Sequence, residues 1–356
     1  MKPHPTPHSA LHVAHRNGIC KIASATRRKS YLFRIAFLFM LTLSVFNVRA
    51  SHLVGGEISY TKVANVLNQY VIKLTLYRDC GGINLGNTAA ITLTNTGSPV
   101  QSVTLPLVGV ATDISLVCPG QASNCQPNGN AAIAGVQRFI YQATVTLSGN
   151  AANPTNIVYA VCCRPNGVTT LSNPGAQEMC ITARIPAFNS GLNNNSPVFV
   201  NPPIGAFCQG QPAALALNAF DPDGDVLQYF LVPGRTAVLT NCTYTGGLSG
   251  SNPVHAVSPA TININTGVIS FIPTVLNERA LIAVRVDEFR NGVKIGEVFR
   301  DMEITIKNCA GNTPPVVAPI GNAVVQVGQT YCVPVTVTDA QAQNLSVTAT
   351  GGIVPP

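Results

Sequence analysis

Tyr70-Val71-Ile72-Lys73-Leu74-Thr75-Leu76-Tyr77 alternates, with Ile72, Leu74 and Leu76 on one side and Val71, Lys73 and Thr75 on the other. Successive side chains of a strand point to opposite faces, so this run forms a strand with one face in a core and one in water. Three further runs read as strands: Phe139-Ile140-Tyr141-Gln142-Ala143-Thr144-Val145-Thr146-Leu147, Leu227-Gln228-Tyr229-Phe230-Leu231-Val232 and Ala280-Leu281-Ile282-Ala283-Val284-Arg285-Val286. Gly, Pro, Asn and Asp bound the runs, and no helical period appears after residue 50. The expectation is an all-β chain of tandem β-sandwiches.

The 356 residues allow two or three domains. Only 10% are charged, which excludes a highly charged disordered chain. The net charge of +7 sits at the N-terminus: residues 1–50 hold eight of the 21 Lys and Arg and no acid, leaving 13 basic against 14 acidic residues. A nucleic-acid-binding reading therefore falls away. Arg27-Arg28-Lys29 and Arg34 precede a short apolar run, Ile35 to Phe46, and Val48-Arg49-Ala50 follows it. This is the pattern of a secretory signal cleaved after Ala50, within an extended leader over 1–50. The run is too short to cross ~30 Å of hydrocarbon, so the mature chain is expected not to be transmembrane.

Ten cysteines follow the leader, and in an exported chain they read as disulfides. Cys118–Cys125 is expected as a local loop and Cys208–Cys309 as a bridge joining the ends of one domain. The partners of Cys80, Cys162, Cys163 and Cys180 stay open. If Cys162 and Cys163 lie on a strand, their sulfurs face opposite ways and find two different partners. Zinc is disfavoured, since no pair has C-x-x-C spacing and only His52 and His255 follow the leader.

An internal repeat is visible at a shift of 118 residues. Asn195-Ser196-Pro197-Val198 resembles Asn312-Thr313-Pro314-Pro315-Val316; Gly210-Gln211 matches Gly328-Gln329, and Asp221 matches Asp339. The expected domains are a cysteine-rich β domain over 51–190, a sandwich over 191–309, and a partial second repeat over 310–356. About three strands of the last unit are present, so it reads either as part of a longer protein or as poorly folded alone.

Four stretches carry a resemblance: Ser51-His52-Leu53-Val54-Gly55-Gly56-Glu57-Ile58; Leu76-Tyr77-Arg78-Asp79-Cys80; Cys162-Cys163-Arg164 with Leu171-Ser172-Asn173-Pro174; and Asn195-Ser196-Pro197-Val198-Phe199. In this order they resemble the N-terminal region of large secreted surface proteins of Bacteroidetes-type bacteria. That resemblance implies Ig-, PKD- or cadherin-like repeats, gliding-motility-associated type IX secretion and a place at the outer cell surface. The 191–309 unit also resembles cadherin-like modules, through Ala219-Phe220-Asp221-Pro222-Asp223-Gly224-Asp225 and Ile264-Asn265-Thr266-Gly267-Val268-Ile269-Ser270-Phe271.

Asp221, Asp223 and Asp225 form the densest carboxylate cluster. Mutual repulsion would be relieved by a hard cation, and calcium takes oxygen ligands. Glu278 and Asp287 are weaker candidate ligands. The other reading is a solvated turn, for which Asp-Pro-Asp-Gly-Asp is equally suited. Arg78, Asp79 and Arg164 read as exposed ends of strands. No catalytic motif is present, and His255 is the only plausible base, so no enzyme is expected. The leading expectation is a non-catalytic surface protein for adhesion or structural display, stiffened by calcium where the acidic turn binds it, and contacting a surface protein or polysaccharide. The alternative is a carbohydrate-binding module of a larger polysaccharide-degrading protein, against which the absence of Trp counts.

Overall fold

The computed structural model describes residues 52–117, 120–319, 324–326, 328–329 and 331–342. Regular structure among them is all β apart from one 3₁₀ turn, Pro174–Ala176. No described helix is long and apolar enough to cross a membrane. The leader and Cys118 lie outside the described residues.

The first half contributes β1 (Leu53–Lys62), β2 (Gln69–Asp79), β3 (Thr88–Asn95), β4 (Gln101–Pro106), β5 (Thr112–Asp113), β6 (Val136–Thr146), β7 (Thr155–Val161) and β8 (Met179–Ile185). The second half contributes β9 (Val198–Phe199), β10 (Gly205–Cys208), β11 (Ala213–Ala216), β12 (Ala219–Phe220), β13 (Val226–Val232), β14 (Arg235–Ala237) and β15 (Thr240–Asn241). It continues with β16 (Thr261–Ile262), β17 (Val268–Phe271), β18 (Arg279–Arg290) and β19 (Val293–Lys307). Two short strands follow, β20 (Val316–Val317) and β21 (Val337–Thr338).

β2 shows why the alternation matters. Tyr70, Ile72, Leu74 and Leu76 are buried in the core. The opposite face, expected in water, is partly covered: Thr75 and Tyr77 are buried there. Residues 197–202 run across this face and roof it.

The second half is a two-sheet sandwich. One sheet runs β10-β19-β18-β13 and the other β11-β17-β16, with β9 and β12 paired beside them. β10 is parallel to β19, and β18 and β19 form a long antiparallel hairpin. Its two-residue turn is Asn291-Gly292, with φ of 53° and 77°. Both values lie in the left-handed region that suits Asn and Gly and matches the twist of the paired strands.

β19 also belongs to the first half. Its far edge pairs in succession with β8 (Glu297 opposite Arg184), β1 (Gly55 opposite Met302) and β10 (Gly205 opposite Ile304). The sheet order is β4-β3-β7-β8-β19-β1-β2-β6-β5. Leu107, just past β4, bridges back to Tyr141 of β6. The first half is thus a ring of strands in which β19 is one stave. One contiguous apolar cluster runs from Ile58 and Tyr70 to Ile304 and Ile306. The segments 51–190 and 191–309, expected as separate domains, share this strand; the alternation within a strand cannot report which neighbour it pairs with.

Gly55 and Gly56 allow the seam to close. A Cβ at Gly55 would lie 2.5 Å from the Asp301 carbonyl oxygen, and one at Gly56 would lie 2.6 Å from Ile181 Cδ1. At Gly55 the β19 backbone approaches too closely for any side chain, and at Gly56 the space is taken by the Ile181 and Leu76 side chains.

The structure joins Cys208 to Cys309. Cys125 bridges Cys80 rather than Cys118, because the 113–135 excursion folds back on the end of β2, where Cys80 N–H donates to the Gly135 carbonyl at 3.0 Å. Cys162 and Cys163 are neighbours whose sulfurs lie against each other. β7 ends at Val161, so the pair lies beyond the strand and strand alternation does not apply to it. Cys180 and Cys242 are buried thiols, which burial pushes up to about 11, and Cys332 is exposed.

The repeat is reproduced in three dimensions. β9–β12 and β20–β21 pair at the same 118-residue shift, with Phe220 opposite Val198 and Thr338 opposite Val316.

Candidate metal centre at the seam

Asp221-Pro222-Asp223-Gly224-Asp225 turns the chain from β12 into β13. Asp221 Oδ1 accepts the Asp223 and Asp225 amides at 2.8 and 3.1 Å, which folds the segment back on its first carboxylate. Gly224 has φ 81°, where a side chain would be strained. The turn therefore gathers three carboxylates, and the protein adds a fourth. Asp221, Asp223, Asp225 and Glu288 place one carboxylate oxygen each within 4.8 Å of one another.

Glu288 comes from β18, and its residue is 0% exposed. Its neighbour Asp287, named from sequence, points to the other face of the strand and is paired with Arg285 and Lys294. Glu278 is likewise elsewhere, holding His255. The acidic residue that sequence reasoning missed differs from the one it named by a single position. The strand period was legible, but the facing of β18 depends on its ladder with β13, where Leu227 lies opposite Glu288 and Gln228 opposite Asp287.

Two of the four carboxylates are satisfied by the protein. Arg290 Nε donates to Asp225 Oδ1 at 2.8 Å, and Arg290 Nη2 reaches Asp223 Oδ2 at 3.3 Å. Asp223 also accepts the Asn195 amide at 2.7 Å and its side-chain nitrogen at 2.6 Å. The other two each keep a bare oxygen: Asp221 Oδ2 and Glu288 Oε1 are buried without a hydrogen-bond partner. Four carboxylates against one guanidinium leave three negative charges if all are ionised. Burial, with Asp221 next in effect, pushes Glu288 up to about 9. Burial raises Asp221 too. The arrangement suits a hard cation, whose charge would replace the lost hydration of these oxygens.

The surroundings tie the centre to both halves. Asn194 Nδ2 donates to Glu288 Oε2 at 3.0 Å and to the Tyr60 hydroxyl of β1 at 3.2 Å. The Lys62 amide donates to Asn195 Oδ1 at 2.9 Å, and the Tyr60 amide to Ser196 Oγ at 2.8 Å. The Asn-rich stretch 193–195 thus lies between the β1 end of the ring and the acidic turn of the sandwich. Its amides do not add charge; they hold carboxylates in place.

No family model matches the chain, and no curated protein sequence does. Among solved structures, the tandem Ig repeats of Dlar align with 71% of this chain and 98% of their own length, at 10% identity and a TM-score of 0.22. That superposition is too slight to carry an argument, and the all-β architecture rests on the strands themselves.

The remaining sequence candidates fall into structural roles. Arg78 is buried, donating to Asn84 Oδ1 at 2.6 Å, Gln137 Oε1 at 2.9 Å and the carbonyls of Cys80 and Gly82. Arg164 is buried and holds both oxygens of Asp301 at 2.8 Å. Both arginines were expected at the surface; burial is possible because the terminal nitrogens of each meet several acceptors. His255 rests its Nδ1 on Glu278, and among the described residues no hydroxyl or thiol hydrogen-bonds its ring.

Proposed function

We propose that this chain is an exported, non-catalytic surface protein for adhesion or structural display, in which calcium at the acidic turn locks the ring of strands to the sandwich. The observation that carries the reading is the pair of bare, buried oxygens on Asp221 and Glu288, facing Asp223 and Asp225 within one small cluster. Buried carboxylates without partners are costly, and oxygen-rich clusters of this kind suit calcium. The centre stands where residues 193–196 bond to β1, so an ion there would restrain the joint between the halves. Export is supported by the leader-like N-terminus and by two disulfides of long sequence separation, which persist in oxidising compartments.

The test is thermal unfolding of the oxidised chain with calcium and with chelator. Calcium at a hundred times its Kd should add about 2.7 kcal/mol, a rise of several degrees in Tm. Glu288→Gln and Asp223→Ala should abolish the rise, while Asp287→Asn, one position away, should keep it. Superimposable curves for the unmodified chain would reduce the segment to a turn.

A further inference from the structure

Four cysteines gather at one buried ion pair. Arg164 holds Asp301 with both terminal nitrogens at 2.8 Å, and both side chains are almost wholly buried. Cys163 directly precedes Arg164 and is buried, with Cys162 beside it. Cys180 is fully buried on β8, and Cys242, also buried, follows β15.

Hydrogen bonds bring the three segments together. The Arg164 amide donates to the Gln177 carbonyl at 2.9 Å and Arg164 Nε to the Glu178 carbonyl at 3.1 Å, which sets residues 162–164 alongside the approach to β8. Gln177 Oε1 accepts the amide of Thr243, the residue after Cys242, at 2.8 Å. Arg164 Nη2 donates to the Arg235 carbonyl of β14 at 3.2 Å. Arg235 Nη1 in turn donates at 2.9 Å to Thr182 Oγ1, and Thr182 shares a face of β8 with Cys180. The Cys242 thiol lies beside the Arg164 guanidinium and within electrostatic range of Cys180.

Covalent geometry selects among the sulfurs. Consecutive Cα atoms are about 3.8 Å apart, whereas disulfides span roughly 4.4–6.8 Å, so cysteines adjacent in sequence favour partners further along the chain. Two such partners stand here, both thiols in this structure. Cys242 also packs on Val168, Leu171 and Leu281. Packing alone asks only for small apolar side chains and does not account for four cysteines at a single ion pair.

We propose that Cys180 and Cys242 each form a disulfide with one member of the Cys162-Cys163 pair, clasping the β14–β15 hairpin of the sandwich half to β8 of the ring. Each bond forms by exchange with a low-molecular-weight disulfide. One cysteine thiolate attacks it and releases a thiol; the second cysteine attacks the mixed disulfide and releases another. Per bond, two protein sulfurs are oxidised, one disulfide is reduced, and the two cysteine protons pass to the two released thiols. Burial disfavours the thiolate at Cys180 and Cys242 once the chain has closed, so the exchange belongs to folding and the finished bonds are shielded from reductant.

The test is refolding of the full chain in a glutathione redox buffer, followed by digestion without reduction and mass spectrometry. Trypsin with a glutamate-specific protease places the cysteines on three peptides, 139–178, 179–184 and 236–278. The expected product is one adduct of all three, carrying two disulfides. Cys242→Ser should open one thiol of the adjacent pair to alkylation in denaturant, and the residue alkylated identifies the partner of Cys242. Four outcomes would overturn the proposal: peptide 139–178 recovered alone with its two cysteines bonded together, an adduct of 179–184 with 236–278 only, Cys180 or Cys242 alkylated in the unmodified chain, or an unaltered alkylation pattern at Cys162 and Cys163 in the variant.

Discussion

Glu303 sits where burial and an ion pair oppose each other. Burial pushes its carboxyl up to about 7, and Arg279, at 2.7 Å, pulls it back only in part. The folded chain therefore holds this proton more tightly than the unfolded chain does. Between the ordinary carboxyl range and pH 7 the native state binds more protons, so this residue's contribution to stability falls as pH rises. Below about pH 4 both states are protonated and the penalty is absent; above about pH 7 it is complete, on the order of 3 kcal/mol. Glu303→Gln imitates the protonated form. Urea unfolding should show the variant more stable than the parent at pH 8, with the gain shrinking toward pH 4. A gain that does not vary with pH would place the effect in packing instead. Composition cannot anticipate such a residue: the same Glu on an outward strand position would be an ordinary solvated acid.

Among the elements, β1 depends most on a pair of residues without side chains. The 2.5 Å approach of a Cβ at Gly55 to the Asp301 carbonyl means that β1 cannot lie beside β19 if position 55 carries even a methyl group. Gly55→Ala should destabilise the fold by about 2 kcal/mol or more, whereas Gly81→Ala, where the nearest atom is the Asp79 carboxylate at 3.3 Å, should cost little. Chemical denaturation of the two variants side by side checks this. The same elements show what was legible in the sequence. The alternation of β2, β6, β13 and β18 was readable because one face of each is apolar. The sharing of β19 was not, because pairing between residues as far apart as Gly55 and Met302 leaves no local periodic mark. The acidic turn was readable as three aspartates. Its fourth member was not, because Asp287 and Glu288 are chemically alike and only the ladder decides which faces inward. Arg78 and Arg164 were misjudged for a related reason: charge predicts exposure only until enough acceptors are gathered around it, and those come from remote segments such as Gln137 and Asp301.

At the scale of the whole molecule, the repeat carries its geometry more faithfully than its chemistry. The Asn195 amide donates to Asp223, and at the 118-residue shift the Thr313 amide donates to Gln341 at 3.1 Å. Asp339 accepts the Gln341 amide at 2.9 Å, as Asp221 accepts that of Asp223. Gln341 keeps the acceptor and drops the charge, so the second turn retains the fold without the cluster. The sandwich itself is closed by Cys208–Cys309, which spans 101 residues. By chain-entropy reasoning a loop of that length stabilises by about 4–5 kcal/mol. The double variant Cys208→Ser with Cys309→Ser should lose a large part of that in denaturant; an unchanged midpoint would remove the bridge from the stability account. The bridge has a mechanical side as well. β1 and β19 are antiparallel, so Leu53 and Lys307 stand at the same end of their shared ladder. Tension between these ends would open the ladder one hydrogen bond at a time, like a zipper. The disulfide then stops the run: 101 residues stay hidden from the pulling force, and only reduction would release their roughly 340 Å of extra contour. The strand that joins the two halves thus yields under tension, and the covalent clasp beyond it sets how far the chain can be drawn out.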